Sequence, residues 1–457
     1  MRRFILPLYL LLGACVPVSP NEVTTRAATM AESTLPAMKT FAVPRPYAPE
    51  ASNRDIARDF LDLAFTLESG RGLTKLTRFE GPIRIRVAGS PPPTLPSDLN
   101  RVVHRLRTEA QIDIGLSQDR SSQVTVEAVP RSEIRRYLPQ AACFVVPNVS
   151  SLAEYGKARR TSVVNWSRMD RRERVAVFIP ADASPQEVRD CLHEELAQAI
   201  GPLNDLYRLP DSVFNDDNVH TVLTGFDMLV LRAYYDPALR NGMSQGEVAQ
   251  RLPAILARLN PAGERIPSRN ISRTPRAWIG AIQTALGPVA SDAQRRAAAY
   301  EALQIATAMG WQDHRRGFSH YAMGRILQSE DPSAAQRSFL AADKFFAASP
   351  RTRLHRAYVA SQLAAFAISQ NQPDQALEIL RPHLDVAARH ENAALLSTLM
   401  LLRAEALDLG GQVTAGREVR VDSIGWARYG FGPDWAVRAK LREIGSLNPL
   451  KGRIGRL

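Results

Sequence analysis

The chain is poor in lysine, cysteine and aromatic residues. Of its 457 residues, 58 are Lys or Arg and only six of these are Lys, while Cys numbers 3 and 7% of residues are aromatic. Neither a GxxxxGK(S/T) nor a GxGxxG phosphate loop occurs, so the sequence gives nucleotide binding no support. A hydrophobic fraction of 45% and a charged fraction of 23% are typical of globular proteins. These fractions exclude collagenous, fully disordered and polytopic membrane chains.

The N-terminus is typical of an export signal. Arg2 and Arg3 give it a basic start, and the apolar stretch from Phe4 to Leu12 is too short to cross a bilayer, which takes about 20 residues. Residues 12–15, LGAC, resemble the lipobox of bacterial lipoproteins, in which the Cys thiol receives a diacylglycerol. The resemblance implies a signal peptide over 1–14 and a membrane anchor on Cys15. An ordinary signal peptide with a chance Cys is the alternative.

The residue after Cys15 indicates in which membrane a lipid-anchored protein would be placed. It is Val16 rather than the Asp that directs inner-membrane retention in Gram-negative sorting, so the resemblance implies the periplasmic face of the outer membrane. The formal net charge of +12 falls to about +10 without Arg2 and Arg3. In an exported protein this charge faces anionic lipid, lipopolysaccharide or cell-wall polymers, so we expect no nucleic-acid partner.

Two cysteines remain in a compartment that favours disulfides, Cys143 and Cys191. A bridge between them closes a loop of about 48 residues, which the chain-entropy model values at roughly 4 kcal/mol. The alternative is a pair of buried thiols, since both have apolar neighbours. The sequence leaves the two alternatives open.

Local patterns divide the chain into segments. Strand-like runs lie at 83–87, 124–129, 143–146 and 175–179, with helical spacing at 55–67 and 97–111, whereas the second half is almost entirely helical. The predicted segments are a signal peptide (1–14), a flexible tether (15–50), an α+β domain (51–245), a helical connector (246–292), helical repeats (293–420) and a Gly- and aromatic-rich C-terminal tail (421–457).

The helical repeats consist of α-hairpins. Residues 318–350 and 358–388 each have the pattern helix, turn, helix, with small and large apolar residues recurring at a period near 40. This spacing resembles degenerate tetratricopeptide repeats and implies a groove that takes protein or peptide partners. An unrelated helical bundle is the alternative.

One helix carries a pattern typical of a metal-binding or catalytic site. It is predicted over 185–200, with Ser184 and Glu187 as a capping box and Gly201-Pro202 as its end. A zinc-binding HExxH motif begun at His193 fails, because residue 197 is Ala. Moved on by one residue, the stretch EELAQAIGPLND (194–205) resembles the metzincin pattern HExxHxxGxxH. The resemblance puts Glu194, Gln198 and Asn204 or Asp205 at the three ligand positions and Glu195 at the general-base position.

A helical wheel supports this register. Glu194 and Gln198 share a stripe beside the apolar face, and His193 points away from it. Glu195 falls inside the apolar face. An ionised carboxylate there needs a partner, a metal ion or a raised pKa, which is a frequent property of functional carboxylates.

A second segment extends the resemblance. Residues 224–237, TGFDMLVLRAYYDP, are similar to the last helix of matrixin-type metzincins, with Thr224 or Asp227 as cap. With the strand order, this implies a metzincin-like zincin fold over 81–242. The string EELAQAIGPLNDLYRLPDSVFNDDN followed by LTGFDMLVLRAYYDP also resembles an uncharacterised family of bacterial envelope proteins with a degenerate zincin motif.

All three zinc-ligand histidines of the metzincin pattern are replaced. The remaining ligand positions offer only oxygens, which suit Ca²⁺, Mg²⁺ or Mn²⁺ better than Zn²⁺. His220 is the one nearby imidazole that would serve as a replacement ligand, and a surface histidine is the alternative. The resemblance therefore implies no definite cofactor and leaves a divalent metal ion open. The cluster NDDN at 215–218 is typical of a solvated turn, with a Ca²⁺ site as the alternative.

Two functions follow from these patterns. We predict an α+β protein with a metzincin-like domain followed by an all-α tetratricopeptide-like domain, acting as a lipid-anchored periplasmic scaffold without catalysis. The alternative is an atypical metal-dependent peptidase of the cell envelope with Glu195 as its general base.

Overall fold

A five-stranded sheet forms the centre of the N-terminal part. Its order is β2-β1-β3-β5-β4, with parallel pairs except for β4, which runs antiparallel to β5 at one edge. All six residues of β5 are buried, as expected for an inner strand covered on both faces. The strands are β1 (Ile83–Gly89), β2 (Ile114–Leu116), β3 (Val124–Val129), β4 (Phe144–Pro147) and β5 (Val175–Pro180).

Seven helices accompany the sheet in the described part of residues 53–259. They are α1 (Asn53–Ala64), α2 (Leu95–Thr108), α3 (Arg131–Tyr137), α4 (Leu152–Ala158), α5 (Pro185–Ile200), α6 (Gly225–Tyr234) and α7 (Gln245–Leu259). The core joins the sheet to α1, α2, α5, α6 and α7 through buried aliphatic and aromatic side chains. This burial places α5, the helix singled out by the sequence, in the middle of the domain.

The rest of the chain is helical and packs mostly as antiparallel neighbours, α8 on α9, α10 on α11, and α15 on α16. The helices are α8 (Arg276–Leu286), α9 (Asp292–Ala308), α10 (His314–Leu327), α11 (Pro332–Ala347), α12 (Arg353–Ser369), α13 (Pro373–Leu380), α14 (Leu384–Arg389), α15 (Ala393–Leu409), α16 (Val413–Phe431), α17 (Asp434–Gly445) and α18 (Pro449–Ile454). Single 3-10 turns lie at Ser162–Val164, Trp166–Arg168, Pro261–Arg265, Pro350–Thr352 and Arg381–His383. Gly324 allows one close contact, since a Cβ there would lie 2.7 Å from Cε1 of Phe339.

The computed structural model describes residues 33–42, 44, 46–269 and 271–454. The predicted signal peptide and Cys15 lie outside these residues. From residue 35 onward the described chain packs as one compact unit. None of its helices combines the length and the apolar character needed to cross a bilayer.

The structure corrects the prediction of a C-terminal tail over 421–457, because this part of the chain is mostly helical as far as residue 454. Helix α16 runs through residue 420 without a break, and α17 and α18 continue the helical structure to residue 454. The glycines that suggested a tail are places of close approach. A Cβ on Gly430 would lie 2.5 Å from the backbone N of Ala394, and one on Gly425 would lie 2.9 Å from the carbonyl O of Ala37. Small residues are needed there because chain segments touch, rather than for flexibility.

The end of the predicted tether is also ordered. The Phe41 ring stacks on Trp426 with centroids 4.6 Å apart, and the Lys39 N–H donates to the Gly425 carbonyl at 3.0 Å. Further along, Tyr47 lies 4.5 Å from the guanidinium of Arg353. These contacts hold Lys39, Phe41 and Tyr47 against the helical part of the chain, where a flexible tether was expected.

Candidate functional site

A cleft of about 690 Å³ opens beside the C-terminal half of α5. One side is formed by polar side chains, which we call the acidic floor: Glu194, Glu195, Gln198 and Asp205. The opposite side, the apolar wall, belongs to β4 and the segments around it: Leu138, Phe144, Tyr155, Val164 and Trp166. Glu68 and Asp216 lie exposed at the rim.

The structure brings together four of the residues predicted from the metzincin register. Glu194, Glu195 and Gln198 come from successive turns of α5, and Asp205 comes from the chain that follows Gly201. Glu195 is 6% exposed and Gln198 is 5% exposed. The shift of register by one residue therefore identified a set of side chains that share one cleft.

Asn204 and His220 do not join them. The Asn204 amide donates to the backbone O of Asp62 at 3.0 Å and does not line the cleft. His220 is buried rather than exposed, and its ring lies 4.9 Å from His390 and 5.8 Å from His355. It belongs to a group of histidines between the loop after α5 and the helical part, outside the cleft lining.

The N-terminus of α5 follows the sequence signals closely. The Ser184 Oγ accepts from the Glu187 backbone N–H at 3.2 Å, as the capping box predicts. The Glu187 carboxylate does not reach back to Ser184, however, because it pairs with Arg131 at 2.6 Å. The helix begins where predicted, with one half of the box replaced by an ion pair.

The C-terminus of α5 is held by side chains from elsewhere. Arg172, 3% exposed, donates to the carbonyls of Gln198 and Ala199 at 2.8 and 2.9 Å and also to that of Gly201. Tyr235 donates to the Ile200 carbonyl at 2.7 Å. These donors satisfy carbonyls that every helix end leaves without partners. They fix the turn that leads from Gln198 to Asp205.

Gly201 is required at that turn by close packing. A Cβ added there would lie 2.6 Å from Cδ2 of Leu231 in α6. The glycine therefore lets α6 cross directly behind the end of α5. Helix α6 begins at a capping box in which Thr224 and Asp227 both take part, so both of the predicted caps are used.

The loop between α5 and α6 is tied to α1 and α6 by buried polar groups. Arg208 donates to Asp59 at 2.8 Å and to Asp62 at 2.6 Å. Asp227 accepts from the backbone N–H of Val213 at 3.1 Å. Burial raises the pKa of the Asp227 carboxyl to about 6. Since this irregular loop is largely buried, such bonds replace the water that its polar groups would otherwise bind.

The helical part holds the same loop from outside. Gln283 of α8 donates to Asp216 at 3.0 Å, and Nε2 of His314 in α10 lies 2.7 Å from the Tyr207 carbonyl. Nε2 of His355 in α12 lies 2.9 Å from the Asp217 carboxylate. The predicted solvated turn at 215–218 is therefore only half solvated, because the Asp217 side chain is 2% exposed. Three helices thus help to position the loop that carries Asp205 and Asp216.

The acidic floor concentrates carboxyl groups of raised pKa. Burial, together with the nearby charges of Asp216, Glu68 and Asp190, raises the pKa of Glu194 to about 8. Burial and the Glu194 and Glu68 charges raise the pKa of Glu195 well above its usual range. Asp205 is raised well above its range too, by burial first and then by its acidic neighbours. Each of these shifts favours the protonated form of the carboxyl group.

The carboxyl groups differ in their partners. Burial and the Asp216 charge raise the pKa of the Glu68 carboxyl, and Gln198 and Asp205 offset part of this rise. One oxygen of Asp205 is buried without a hydrogen-bond partner. Glu194 and Glu195 make no hydrogen bond or ion pair with any part of the chain that the structure describes. The protein itself therefore leaves Glu194 and Glu195 of the acidic floor without a partner.

The donor set does not fit a resident zinc ion. Across residues 33–42, 44, 46–269 and 271–454, no three His, Cys, Asp or Glu side chains converge on a point that a metal ion would occupy. The cleft also offers no imidazole, the ligand that distinguishes zinc sites from oxygen-only sites.

Replacing Glu195 with Gln is expected to stabilise the protein. A carboxyl whose folded pKa is raised contributes stability that is complete below about pH 4.5 and is lost as the pH rises through the folded pKa. The amide avoids that loss, so we expect a gain of about 1 to 3 kcal/mol at pH 8 and a smaller one at pH 5. Urea unfolding at both pH values measures it.

Glu187→Gln, on the same helix but paired with Arg131, is the matched control for this variant. Its effect should be slightly destabilising and independent of pH over this interval. Equal effects of the two substitutions, or a loss at pH 8 in Glu195→Gln, would contradict the assignment of Glu195 as a buried acid without a partner.

Three features of the site were not predicted from the sequence. Glu68 reaches the rim from a distant segment without a local motif, and Asp216 comes from the NDDN cluster at 215–218, which was expected to be a solvated turn. Arg172 lies in the basic run RRER at 171–174, a pattern typical of a solvated face, and only its contact with the end of α5 shows otherwise. His193 was expected to point away from the core, yet it is 4% exposed and its Nδ1 accepts from the Leu223 N–H at 3.3 Å. The wheel failed there because α5 is covered on nearly every side.

The cysteines form a disulfide, with Cα atoms 6.0 Å apart. Cys143 immediately precedes β4, and Cys191 lies one turn of α5 before Glu194 and Glu195. The bond therefore connects the apolar wall to the helix of the acidic floor.

A serine motif elsewhere has a structural role. Residues 242–246, GMSQG, have the GxSxG spacing of serine hydrolases. Ser244 caps α7, however, accepting from the Glu247 N–H at 3.3 Å, and it follows a loop rather than a strand. It is therefore no nucleophile elbow.

Comparison with known protein families gives a match over the N-terminal part of the chain. No curated protein and no solved structure matches the chain. Residues 53–254 match the family model described as "Protein of unknown function (DUF2927)". The matched range contains the whole sheet, α5 and every side chain of the acidic floor. For this part of the chain, the expected likeness to an uncharacterised family is confirmed.

Proposed function

We propose that this protein is a lipid-anchored scaffold of the bacterial envelope whose metzincin-like domain binds an extended polypeptide in its cleft without cleaving it. The lipobox-like residues 12–15 support an anchor on Cys15 and a place at the periplasmic face of the outer membrane. The sheet with one antiparallel edge strand, the helix carrying 194–198 and the turn at Gly201 support the metzincin-like assignment. The tetratricopeptide-like helices are proposed to recruit further envelope partners.

The observation that carries this proposal is the free edge of β4. This strand pairs only with β5 in the described sheet, and its residues line the cleft. The Asn148 N–H donates to the Arg174 carbonyl at 2.7 Å, which makes 148 and 174 a hydrogen-bonded pair in the β4–β5 register. Antiparallel ladders alternate, so residues 146 and 144 also bond to β5. The backbone N–H and C=O of Val145 therefore point away from β5, toward the cleft.

An exposed strand edge is a binding surface for another extended chain. A polypeptide added beside β4 gains main-chain hydrogen bonds to Val145. Its side chains then alternate in direction, so that some of them face the acidic floor. This geometry requires no bond to be broken, and it uses both sides of the cleft.

One observation favours the alternative function. Glu195 is a buried carboxyl without a partner in a cleft of substrate size, as a general base often is. An atypical peptidase would use it to activate water. Because the acidic floor does not fit a resident metal ion, we derive no catalytic step from it.

The proposal is tested with the full chain and a library of random dodecapeptides. Peptides selected for binding should slow hydrogen exchange of the amides at 143–147 and should remain intact by mass spectrometry. Val145→Pro removes the outward N–H without disturbing the ladder and should abolish both binding and protection. Val145→Ala, which keeps the N–H, is the matched control and should bind normally.

Two outcomes would overturn this function. Protection away from β4, or full binding by Val145→Pro, would contradict strand addition. Progressive cleavage of the peptides that disappears in Glu195→Gln would show that the protein is a peptidase.

A further inference from the structure

Glu195 of the acidic floor differs from the other buried acidic residues of the described chain, because it has no partner. Nine acidic residues are buried in the described chain: Asp55, Asp59, Asp62, Asp98, Glu195, Asp227, Asp236, Glu391 and Glu405. Eight have an ion-pair or hydrogen-bond partner: Ser268 for Asp55, Arg208 for Asp59 and Asp62, Tyr429 for Asp98, Thr224 for Asp227, Arg258 for Asp236, Arg101 for Glu391 and Lys451 for Glu405. Only Glu195 has none, although its side chain is buried, with 6% of its surface exposed. A buried acid without a partner is costly, so its position indicates a partner supplied from outside.

The surroundings indicate the charge of that partner. The cleft is lined by five acids, Glu68, Glu194, Glu195, Asp205 and Asp216, and by one base, Arg159. Arg159 is exposed and lies over the ring of Tyr137, at 5.4 Å from its centroid. The cleft therefore presents many carboxyl groups and little positive charge, and a cation, which would stabilise the charged form of these groups, is the complementary occupant.

The shape and the chemistry of the cleft indicate the size of that cation. A bare divalent ion needs several oxygens within roughly 2.0 to 2.6 Å of it, and no three acidic or histidine side chains of the described residues converge in that way. A volume of about 690 Å³ suits a larger group. The apolar wall, with the rings of Phe144, Tyr155 and Trp166, provides a surface for an aliphatic stem or for a cation over an aromatic face.

We propose that the cleft binds a Lys or Arg side chain of the polypeptide that pairs with β4, with its ammonium or guanidinium group on Glu194 and Glu195 and its stem along the apolar wall. This inference rests on the proposed function and names the group that the site selects. It also explains why the protein keeps a carboxyl that weakens its own fold.

The experiment uses the full chain and capped heptapeptides, Thr-Ser-Thr-X-Thr-Ser-Thr, with X as Lys, Arg, norleucine or Glu. Calorimetry should give affinities about tenfold or more higher for Lys and Arg than for norleucine, because a charge-assisted hydrogen bond is replaced by a methyl group. In the double variant Glu194→Gln, Glu195→Gln the preference should fall to about twofold or less. Glu187→Gln, on the same helix outside the cleft, should keep the full preference.

Other results have distinct meanings. Equal binding of the Lys and norleucine peptides, with protection of 143–147 by both, would overturn the cationic inference and leave strand addition intact. Absence of binding and protection with every peptide would overturn the proposed function and this inference with it. If spermidine or Mn²⁺ bound as tightly as the Lys peptide, without protection of 143–147, the acidic floor would be a site for free cations. That result would overturn the proposal that it binds a Lys or Arg side chain of a polypeptide.

Discussion

Arg172→Ala is expected to lower the free energy of unfolding by about 3 to 5 kcal/mol. The side chain is buried and donates to three carbonyls at the end of α5, and its guanidinium lies 5.2 Å from the centroid of Trp166. Alanine removes these donors and leaves the carbonyls in a place that water reaches poorly. Urea unfolding of the full chain, followed by circular dichroism, measures the loss.

The neighbouring arginine provides the control. Arg171 is 69% exposed and pairs with Glu173 on the surface at 2.6 Å. Arg171→Ala should therefore change the stability by less than about 1 kcal/mol. If the two substitutions had equal effects, the bonds from Arg172 to α5 would contribute nothing net to stability. Arg172→Ala should also weaken the proposed peptide binding, since the end of α5 positions Gln198 and Asp205.

Removing the disulfide is the second large effect. Cys143→Ala, Cys191→Ala is expected to cost about 4 kcal/mol, because the 48-residue loop gains freedom in the unfolded chain. The wild-type protein in reducing agent should approach the stability of the double variant, and the double variant should not respond to reducing agent. A double variant as stable as the oxidised protein would contradict the estimate.

The same removal has a local consequence. The bond joins the segment before β4 to α5, and these carry the two sides of the cleft. Without it we expect faster amide exchange at 143–147 in the free protein. Exchange in the sheet centre, at β3 and β5, should change less, because those strands have neighbours on both sides.

Local signals explain what the sequence predicted well. Helix α5 begins at Ser184 and ends at Gly201, as its cap and its glycine indicate. The four residues of the acidic floor were found by spacing along that one helix and the turn after it. The strand runs were found because they are short, apolar and β-branched, whereas β2, with three residues, gives too short a pattern to detect.

Long-range contacts explain what it did not predict. Nothing near Arg172 in the sequence distinguishes it from Arg171, since burial is decided by the approach of the α5 terminus. Asn204 and Asp205 were equal candidates, and only the position of Asp62 shows which of the two turns away. The glycines of α16 were assigned to a C-terminal tail because a sequence does not show which segments will press against them.

The loop that carries Asp205 and Asp216 is supported from far along the chain. Its contacts to Gln283, His314 and His355 span 67, 107 and 138 positions, and all three partners lie beyond residue 254, where the family match ends. A gene fragment cut at that boundary would encode the complete lining of the cleft without the helices that brace it. Inherited changes in α8, α10 or α12 are therefore changes to the support of the cleft, even though none of those helices contributes a side chain to its surface.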